Sequence, residues 1–240
     1  MHRTMTIAAA SAVTLLLGLA SAAIAQAPAP LDALTDPALK RAEVLSFIGV
    51  KPGDQVADIV AGRFVRALSQ AVGPTGKVYA IESAEVVKAH PEVLGMLKAL
   101  TADPAYTNVV VSAPPIDAPA LPTGLDEVFI RQNYHDLHDK FMGPADVAAF
   151  NRNVFAALKP GGVYVVLDHA AAAGTGLKDT DTIHRIDEAA VKSEVEQAGF
   201  VLDGESNLFA NPADDHSKMV FDPAIRGRTD QFFLRFRKPK

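Results

Sequence analysis

The chain has 240 residues, of which 49% are hydrophobic and 21% are charged, a composition that excludes a disordered or collagen-like protein. It contains no cysteine, so no disulfide framework holds it together. Lys and Arg number 23 against 28 Asp and Glu, and the resulting net charge of −5 argues against binding nucleic acid through its phosphates.

The first 25 residues have the pattern of a secretory signal peptide. Arg3 precedes an apolar run of 13 residues that ends at Leu19, and the small residues Ala23 and Ala25 follow it. Spanning a bilayer takes about 20 residues, so the run is short for a permanent anchor, which is the alternative interpretation. We therefore predict cleavage before Gln26 and export to the periplasm or the medium, with no stable membrane anchor afterwards.

Residues 26–240 have the size of a single domain, in which short apolar strands alternate with helices. The predicted strands cover residues 56–60, 77–82, 108–112, 125–130, 163–168, 200–203 and 230–237. The predicted helices cover residues 36–49, 64–72, 84–100 with a break at Pro91, 143–158 and 183–198. Strands that alternate with helices predict a parallel sheet covered on both faces. The last two strands have no helix between them, so we expect them to form an antiparallel pair.

The loop after the first predicted strand carries a ligand-binding pattern, since ligands of α/β sheets bind beyond the carboxyl ends of the strands. Asp58 ends this strand and can hold an amino group, while Gly62 allows close approach of a nucleotide-like ligand. Glu82 ends the next strand, 24 residues later, and can accept two ribose hydroxyls. A turn cap at Asp58 and a solvated strand end at Glu82 are the alternatives.

The segment Val56–Phe64 resembles the first motif of class I S-adenosylmethionine-dependent methyltransferases, in which an acidic residue is followed by glycines at alternate positions. Lys77–Glu82 and Leu158–Gly162 resemble the second strand of that family and the turn before its fifth strand. The resemblance implies a single Rossmann-like α/β domain with a mostly parallel seven-stranded sheet in the order 3-2-1-4-5-7-6 and an antiparallel edge. It also implies S-adenosylmethionine as cofactor, with these cofactor-binding residues: Asp58, Ala61, Gly62 and Glu82.

More narrowly, the chain resembles a group of exported, predicted methyltransferases through Asn133–Asp136, His184–Asp187 and Asp222–Gly227. It departs from the family at Val60 and Phe64, where the motif has glycine. Two functions therefore stay open at this point. One is an exported methyltransferase that acts on an unknown small-molecule acceptor. The other is a non-catalytic ligand-binding protein on the same fold, in which Val60 and Phe64 weaken cofactor binding.

Titratable residues gather after the fourth and fifth predicted strands. His135 and His169 are the candidate bases that would deprotonate an acceptor. The other predicted cleft residues are Asn133, Tyr134, Asp136, Asp168 and His184. Because neighbouring parallel strands end at the same edge, we expect the groups after both strands to face one cleft beside the Asp58–Gly62 loop.

Two simpler interpretations apply to this set of residues. A single loop histidine is more often a hydrogen-bonded structural residue than a catalytic one. His135 and His138 have a spacing that lets one helical turn chelate a metal, but the set lacks a recognised metal signature. We therefore assign no metal ligands from the sequence, and metal-dependent chemistry at these histidines and aspartates stays open as a third option.

Overall fold

Seven strands and seven α-helices alternate along residues 32–240, the part of the chain that the computed structural model describes. The strands are β1 (Gln55–Ile59), β2 (Lys77–Ile81), β3 (Val109–Ser112), β4 (Leu125–Arg131), β5 (Leu158–His169), β6 (Val201–Ser206) and β7 (Gln231–Arg237). The helices are α1 (Arg41–Ile48), α2 (Val65–Val72), α3 (Ala84–Ala89), α4 (Pro91–Thr101), α5 (Val147–Ala157), α6 (Thr180–Ile183) and α7 (Glu188–Gln197). The predicted signal peptide lies outside the described residues. Among residues 32–240, no helix has both the length and the apolar character needed to cross a membrane.

The strands form one sheet in the order β3-β2-β1-β4-β5-β7-β6. β1 pairs in parallel with β2 and β4, and the parallel pairing continues to β3 on one side and β5 on the other. β7 runs antiparallel to both β5 and β6. The predicted strand order, the mostly parallel sheet and the antiparallel edge are all confirmed. The central strands β1 and β4 therefore end side by side, and β5 ends next to them.

Two groups of buried side chains cover the two faces of the sheet. Successive residues of a strand point to opposite faces, so Val165 packs with α2 on one side while Val166 packs with α5 and α7 on the other. Phe64 belongs to the first group and makes an edge-to-face contact with Phe129, at 5.6 Å between ring centroids. Because helices cover both faces, the strand ends are the part of the sheet left open to a ligand.

Three helices begin later than the sequence predicts. The predicted helix 36–49 starts as a 3-10 turn at Pro37–Leu39, and α1 itself begins at Arg41. α5 starts at Val147, because Asp146 accepts a hydrogen bond from the backbone N–H of Ala149 and caps the helix there. The predicted helix 183–198 is divided, since Ile186 forms a parallel bridge with Ala170 at the end of β5. Asp187 then caps α7. The division leaves the segment after α6 extended along the end of the sheet.

Candidate functional site

A cavity of about 580 Å³ opens at the carboxyl ends of β1, β4 and β5. The loop after β1 contributes Asp58, Val60 and Gly62 to its wall. The other titratable or polar residues that line it are Arg131, Gln132, Asn133, His135, Asp136, His169 and His184. The structure thus places most of the predicted site residues around one space, although they come from four separate parts of the chain.

Several residues that line this cavity have a backbone conformation that residues other than glycine rarely adopt. Six described residues other than glycine have a positive φ, and three of them line the cavity: Val60 (50°), Gln132 (58°) and His184 (55°). The left-handed region costs a β-branched residue such as valine more than most. Strained residues of this kind persist where the surrounding structure holds them, and they cluster at functional sites.

The loop after β1 keeps the shape of a glycine turn although it carries a valine. Val60 has a left-handed backbone, and its half-buried side chain lines the cavity. At Gly62, a Cβ atom would meet nothing closer than the Val60 carbonyl oxygen, at 4.0 Å. The fold therefore leaves open space at Gly62, and the space faces the cavity.

Asp58 and Arg131 are the two ionisable residues that line the cavity nearest to the sheet ends of β1 and β4. Burial raises the pKa of Asp58 to about 7, with a contribution from Glu82, while the Gly62 N–H and Arg131 oppose the rise. Burial lowers the pKa of Arg131 to about 10, with Arg63 adding to the effect, although Asp58 and Asp168 favour its charged form. Arg131 thus remains a cation at neutral pH and offers a charge to an anionic ligand group.

His135 is held between two carboxylates. Its Nδ1 lies 2.8 Å from Asp168 Oδ1, its backbone N–H donates to Asp168 Oδ2 at 2.8 Å, and its Nε2 lies 3.1 Å from Asp136 Oδ1. Burial lowers the pKa of His135, but Asp168 and Asp136 outweigh it and raise the pKa to about 10. In this arrangement His135 already carries its proton, so it is poorly suited to accept another one.

The rest of the cluster comes from the turn after β4 and from the end of α6. His184 Nδ1 lies 3.3 Å from His135 Nε2 and 3.6 Å from both Asp136 Oδ1 and Asp139 Oδ2. Asp139 is buried, and neither of its carboxylate oxygens has a hydrogen-bond partner among the described residues. The Thr180 hydroxyl approaches Asp139 but donates to the Leu177 carbonyl at 3.2 Å.

His169 differs from His135 although the two rings are only 6.0 Å apart between centroids. Its Nδ1 lies 2.8 Å from the Thr229 hydroxyl. Burial lowers the pKa of His169 to about 3, against the attraction of Asp168, and the charge of His135 adds to the lowering. His169 is therefore neutral at physiological pH and presents an uncharged imidazole to the cavity.

Comparison of the sequence with protein-family models and with curated proteins finds no match. Solved structures do match. A SAM-dependent methyltransferase from Aquifex aeolicus superposes with a TM-score of 0.56 at 22% identity, over 85% of this chain and 94% of that one. TrmN from Thermus thermophilus gives 0.53 at 15% identity over 84% of this chain, which spans about half of that protein (48%). A possible exported protein from Bordetella parapertussis gives 0.52 at 19% identity, over 85% of this chain and 67% of that one.

The chain has the class I methyltransferase fold. The strand order and these superpositions agree on it. Within this fold, Val60 occupies the turn after β1 and keeps the positive φ that a glycine there would adopt freely. Phe64 lines the inner wall of the cavity together with Phe129, but its ring is almost fully buried and packs edge-to-face against Phe129 at the start of α2.

Four predicted site residues do not line the cavity of this methyltransferase fold. Ala61 is buried, and its N–H donates to the Ile81 carbonyl. Glu82 is 1% exposed, and its carboxylate accepts a hydrogen bond from the backbone N–H of Ser83 at 2.9 Å. Tyr134 is fully buried, and its hydroxyl donates to Glu194 at 3.0 Å. Asp168 is also buried, and it reaches the site through His135.

Arg131 and Asp139 are the site residues that the sequence analysis missed. Arg131 is the last residue of β4, and a charged residue ending a buried strand is a signal that would have pointed to it. Asp139 follows the predicted cluster by three residues, but Lys140 comes next and the pair looks like an ordinary solvated turn. Only the packing of α6 against that turn buries Asp139.

Proposed function

We propose that this protein is an S-adenosylmethionine-dependent methyltransferase that acts on a small-molecule acceptor. The observation that carries the proposal is the loop after β1, where a left-handed turn at Val60 and an open Gly62 face a cavity at the carboxyl edge of a methyltransferase-type sheet. The cavity volume of about 580 Å³ falls within the range of small-molecule sites, roughly 300–1,000 Å³.

The part of the cavity wall formed by the Asp58–Gly62 loop suits this cofactor. The buried Asp58 carboxylate lines the cavity and suits an amino group, and the space at Gly62 admits a close backbone contact. Glu82 is the exception, since its carboxylate is turned to the Ser83 N–H. Ribose recognition through Glu82 would require this side chain to rotate toward the cavity.

When bound, S-adenosylmethionine supplies an electrophilic methyl group, and the task of the chain is to place an acceptor atom in line with it. Phe141 and Phe221 are exposed at the cavity wall and offer aromatic surface to an acceptor. His169 is the neutral group in the wall and can hydrogen-bond the acceptor atom. His135 is held as an imidazolium between carboxylates, and the lowered pKa of His169 makes it a weak base, so we assign His169 a hydrogen-bonding role only.

Calorimetric titration with S-adenosylmethionine and S-adenosylhomocysteine tests the proposal. We expect the wild-type protein to bind both, and Gly62→Ala to weaken binding about tenfold or more, about 1.4 kcal/mol. The added methyl group contacts no protein atom closely, so the thermal stability should not change. Gly95→Ala is the matched control, because its Cβ also meets no atom within 4 Å and Gly95 does not line the cavity.

The same titration separates the methyltransferase from the non-catalytic binding protein. The specific observation that favours the second function is the Val60 side chain, which projects into the cavity wall. If the wild type shows no binding at millimolar ligand, the methyltransferase proposal fails. Binding that then appears in Val60→Gly would identify this side chain as the cause, since glycine adopts the turn without strain.

We also propose that the protein is exported, on the basis of the basic start, the short apolar run and the small residues that precede Gln26. N-terminal sequencing of the protein recovered from the periplasm or medium of the producing cells is expected to read Gln26 first. Recovery of the uncleaved chain in the membrane fraction would instead support the anchor alternative.

A further inference from the structure

Two histidines and two aspartates meet beside the cavity, and three of them, His135, Asp136 and His184, line it. His135, Asp136 and Asp139 lie on the turn after β4, and His184 ends α6. One ligand atom from each of the four lies within 4.8 Å of all the others. We propose that these four side chains bind a divalent first-row transition-metal ion of the zinc type. The proposal does not depend on methyl transfer, because it concerns metal binding alone.

Four of the six separations between these atoms are close to the edges of a coordination polyhedron, and the other two are at most 4.8 Å. Zinc binds nitrogen and carboxylate oxygen at about 2.0–2.2 Å, which makes the edge of a tetrahedron about 3.3–3.6 Å. His135 Nε2 lies 3.3 Å from His184 Nδ1 and 3.1 Å from Asp136 Oδ1. His184 Nδ1 lies 3.6 Å from each aspartate. An ion at the centre would therefore reach its ligands with only small side-chain movements.

The groups behind the ligands orient them toward the same point. Asp168 accepts from His135 Nδ1 at 2.8 Å, which leaves Nε2 directed into the cluster. Binding of the ion would displace the proton that Nε2 carries in the absence of metal, and this proton would leave to solvent. Asn133 donates to Asp136 Oδ2 at 2.7 Å, which leaves Oδ1 on the inner side. Metal-binding histidines usually donate their other ring N–H to a carboxylate or carbonyl in this way.

Asp139 gives the independent observation that points to a bound cation. Its side chain is 99% buried, and neither oxygen has a hydrogen-bond partner among the described residues. A buried carboxylate without a partner is costly, so native proteins pair such groups or use them to bind a metal. Its Oδ2 lies 3.6 Å from His184 and belongs to the set of converging atoms.

The donor set indicates which class of ion would bind. Two imidazoles and two carboxylates suit zinc and its first-row neighbours, whereas calcium and magnesium prefer oxygen ligands throughout. The chain has no cysteine, so a thiolate-rich zinc or iron–sulfur site is excluded. His184 is 25% exposed and lines the cavity, so the ion would be accessible from it.

The experiment is a titration of the chelator-treated, full-length protein with Zn²⁺, and with Co²⁺ as a spectroscopic probe. We expect one equivalent to bind, a rise in melting temperature, and a visible Co²⁺ absorption band typical of nitrogen and oxygen coordination. Asp139→Asn and His184→Ala are each expected to weaken binding by about tenfold or more. His216→Ala is the matched control, since His216 is equally exposed and also contacts an aspartate, Asp230, but lies outside the cluster.

The proposal is overturned if neither ion binds at millimolar concentration, or if binding is unchanged in Asp139→Asn and His184→Ala. If Asp139→Asn does not fold, the wild-type Co²⁺ spectrum and its loss in His184→Ala still decide the question. These outcomes are separate from those of the S-adenosylmethionine titration. Loss of metal binding leaves the proposed methyltransferase function standing, and absence of cofactor binding leaves the metal site standing.

Discussion

Replacing Arg185 with methionine is expected to lower the free energy of unfolding by about 3–5 kcal/mol, because it leaves a buried charge without its partner. Arg185 is fully buried, and its guanidinium donates to Asp214 at 2.8 and 3.1 Å. It also donates to the carbonyls of Ala170 and Lys218. One side chain thus ties the end of β5, the segment after α6 and the long loop before β7 together.

Urea unfolding of Arg185→Met checks this expectation. Lys140→Ala is the matched control, since it removes a salt bridge of similar length from a side chain that is 88% exposed. Exposed salt bridges contribute little to the free energy of unfolding, so we expect the control to unfold at the same urea concentration as the wild type. Equal stability of Arg185→Met and Lys140→Ala would show that the loop before β7 does not depend on the buried pair.

Replacing Glu127 with glutamine is expected to stabilise the protein by about 4–5 kcal/mol at pH 8 and by only about 1 kcal/mol at pH 5. Glu127 lies on β4, 6% exposed, and one of its carboxylate oxygens has no hydrogen-bond partner among the described residues. Burial raises its pKa from 4.5 to about 9, and Asp54 adds to the rise. The folded protein therefore keeps Glu127 protonated at a pH where the unfolded chain has released the proton.

The sign of the effect follows from this proton difference. Between about pH 4.5 and pH 9 the folded state binds one more proton at Glu127, so its stability falls as the pH rises. Urea unfolding at pH 5, 6.5 and 8 measures how the free energy of unfolding changes with pH. Asp58 and Glu82 also have raised pKa values, but they are present in both proteins, so the difference between the wild type and Glu127→Gln reports on Glu127 alone. Glu205→Gln, the same change on a half-exposed side chain, should track the wild type at each pH. A constant difference between Glu127→Gln and wild type across the three pH values would contradict the prediction.

Local patterns in the sequence were sufficient to predict the strands and most helices. The apolar, valine-rich run from Val163 to Leu167 is typical of a strand buried on both faces, and it forms the buried part of β5. Likewise, the absence of a helix between the last two strands predicts the antiparallel edge that β6 and β7 form. The strand order came from the resemblance to methyltransferases, because periodicity does not say which strands are neighbours.

The sequence by itself determined that polar residues follow β1, β4 and β5, and that the parallel strands bring them to one edge. The tertiary structure alone decided which of these side chains face the cavity. Glu82 turns to its neighbour's N–H, and Tyr134 packs into the core beside Glu194. The direction in which each of these buried side chains points depends on packing in the folded protein, and a local sequence pattern holds no information about that packing.

The tertiary structure also decided the membership of the histidine–aspartate cluster. His184 lies 49 residues beyond His135 and reaches it only because α6 ends in a left-handed turn beside the strand end. Asp139 is buried only because α6 packs over its turn, and burial removes the water that would solvate its carboxylate on the surface. Spacing along the chain gave no such signal, since the free energy of burying a charge depends on what surrounds it in the folded protein.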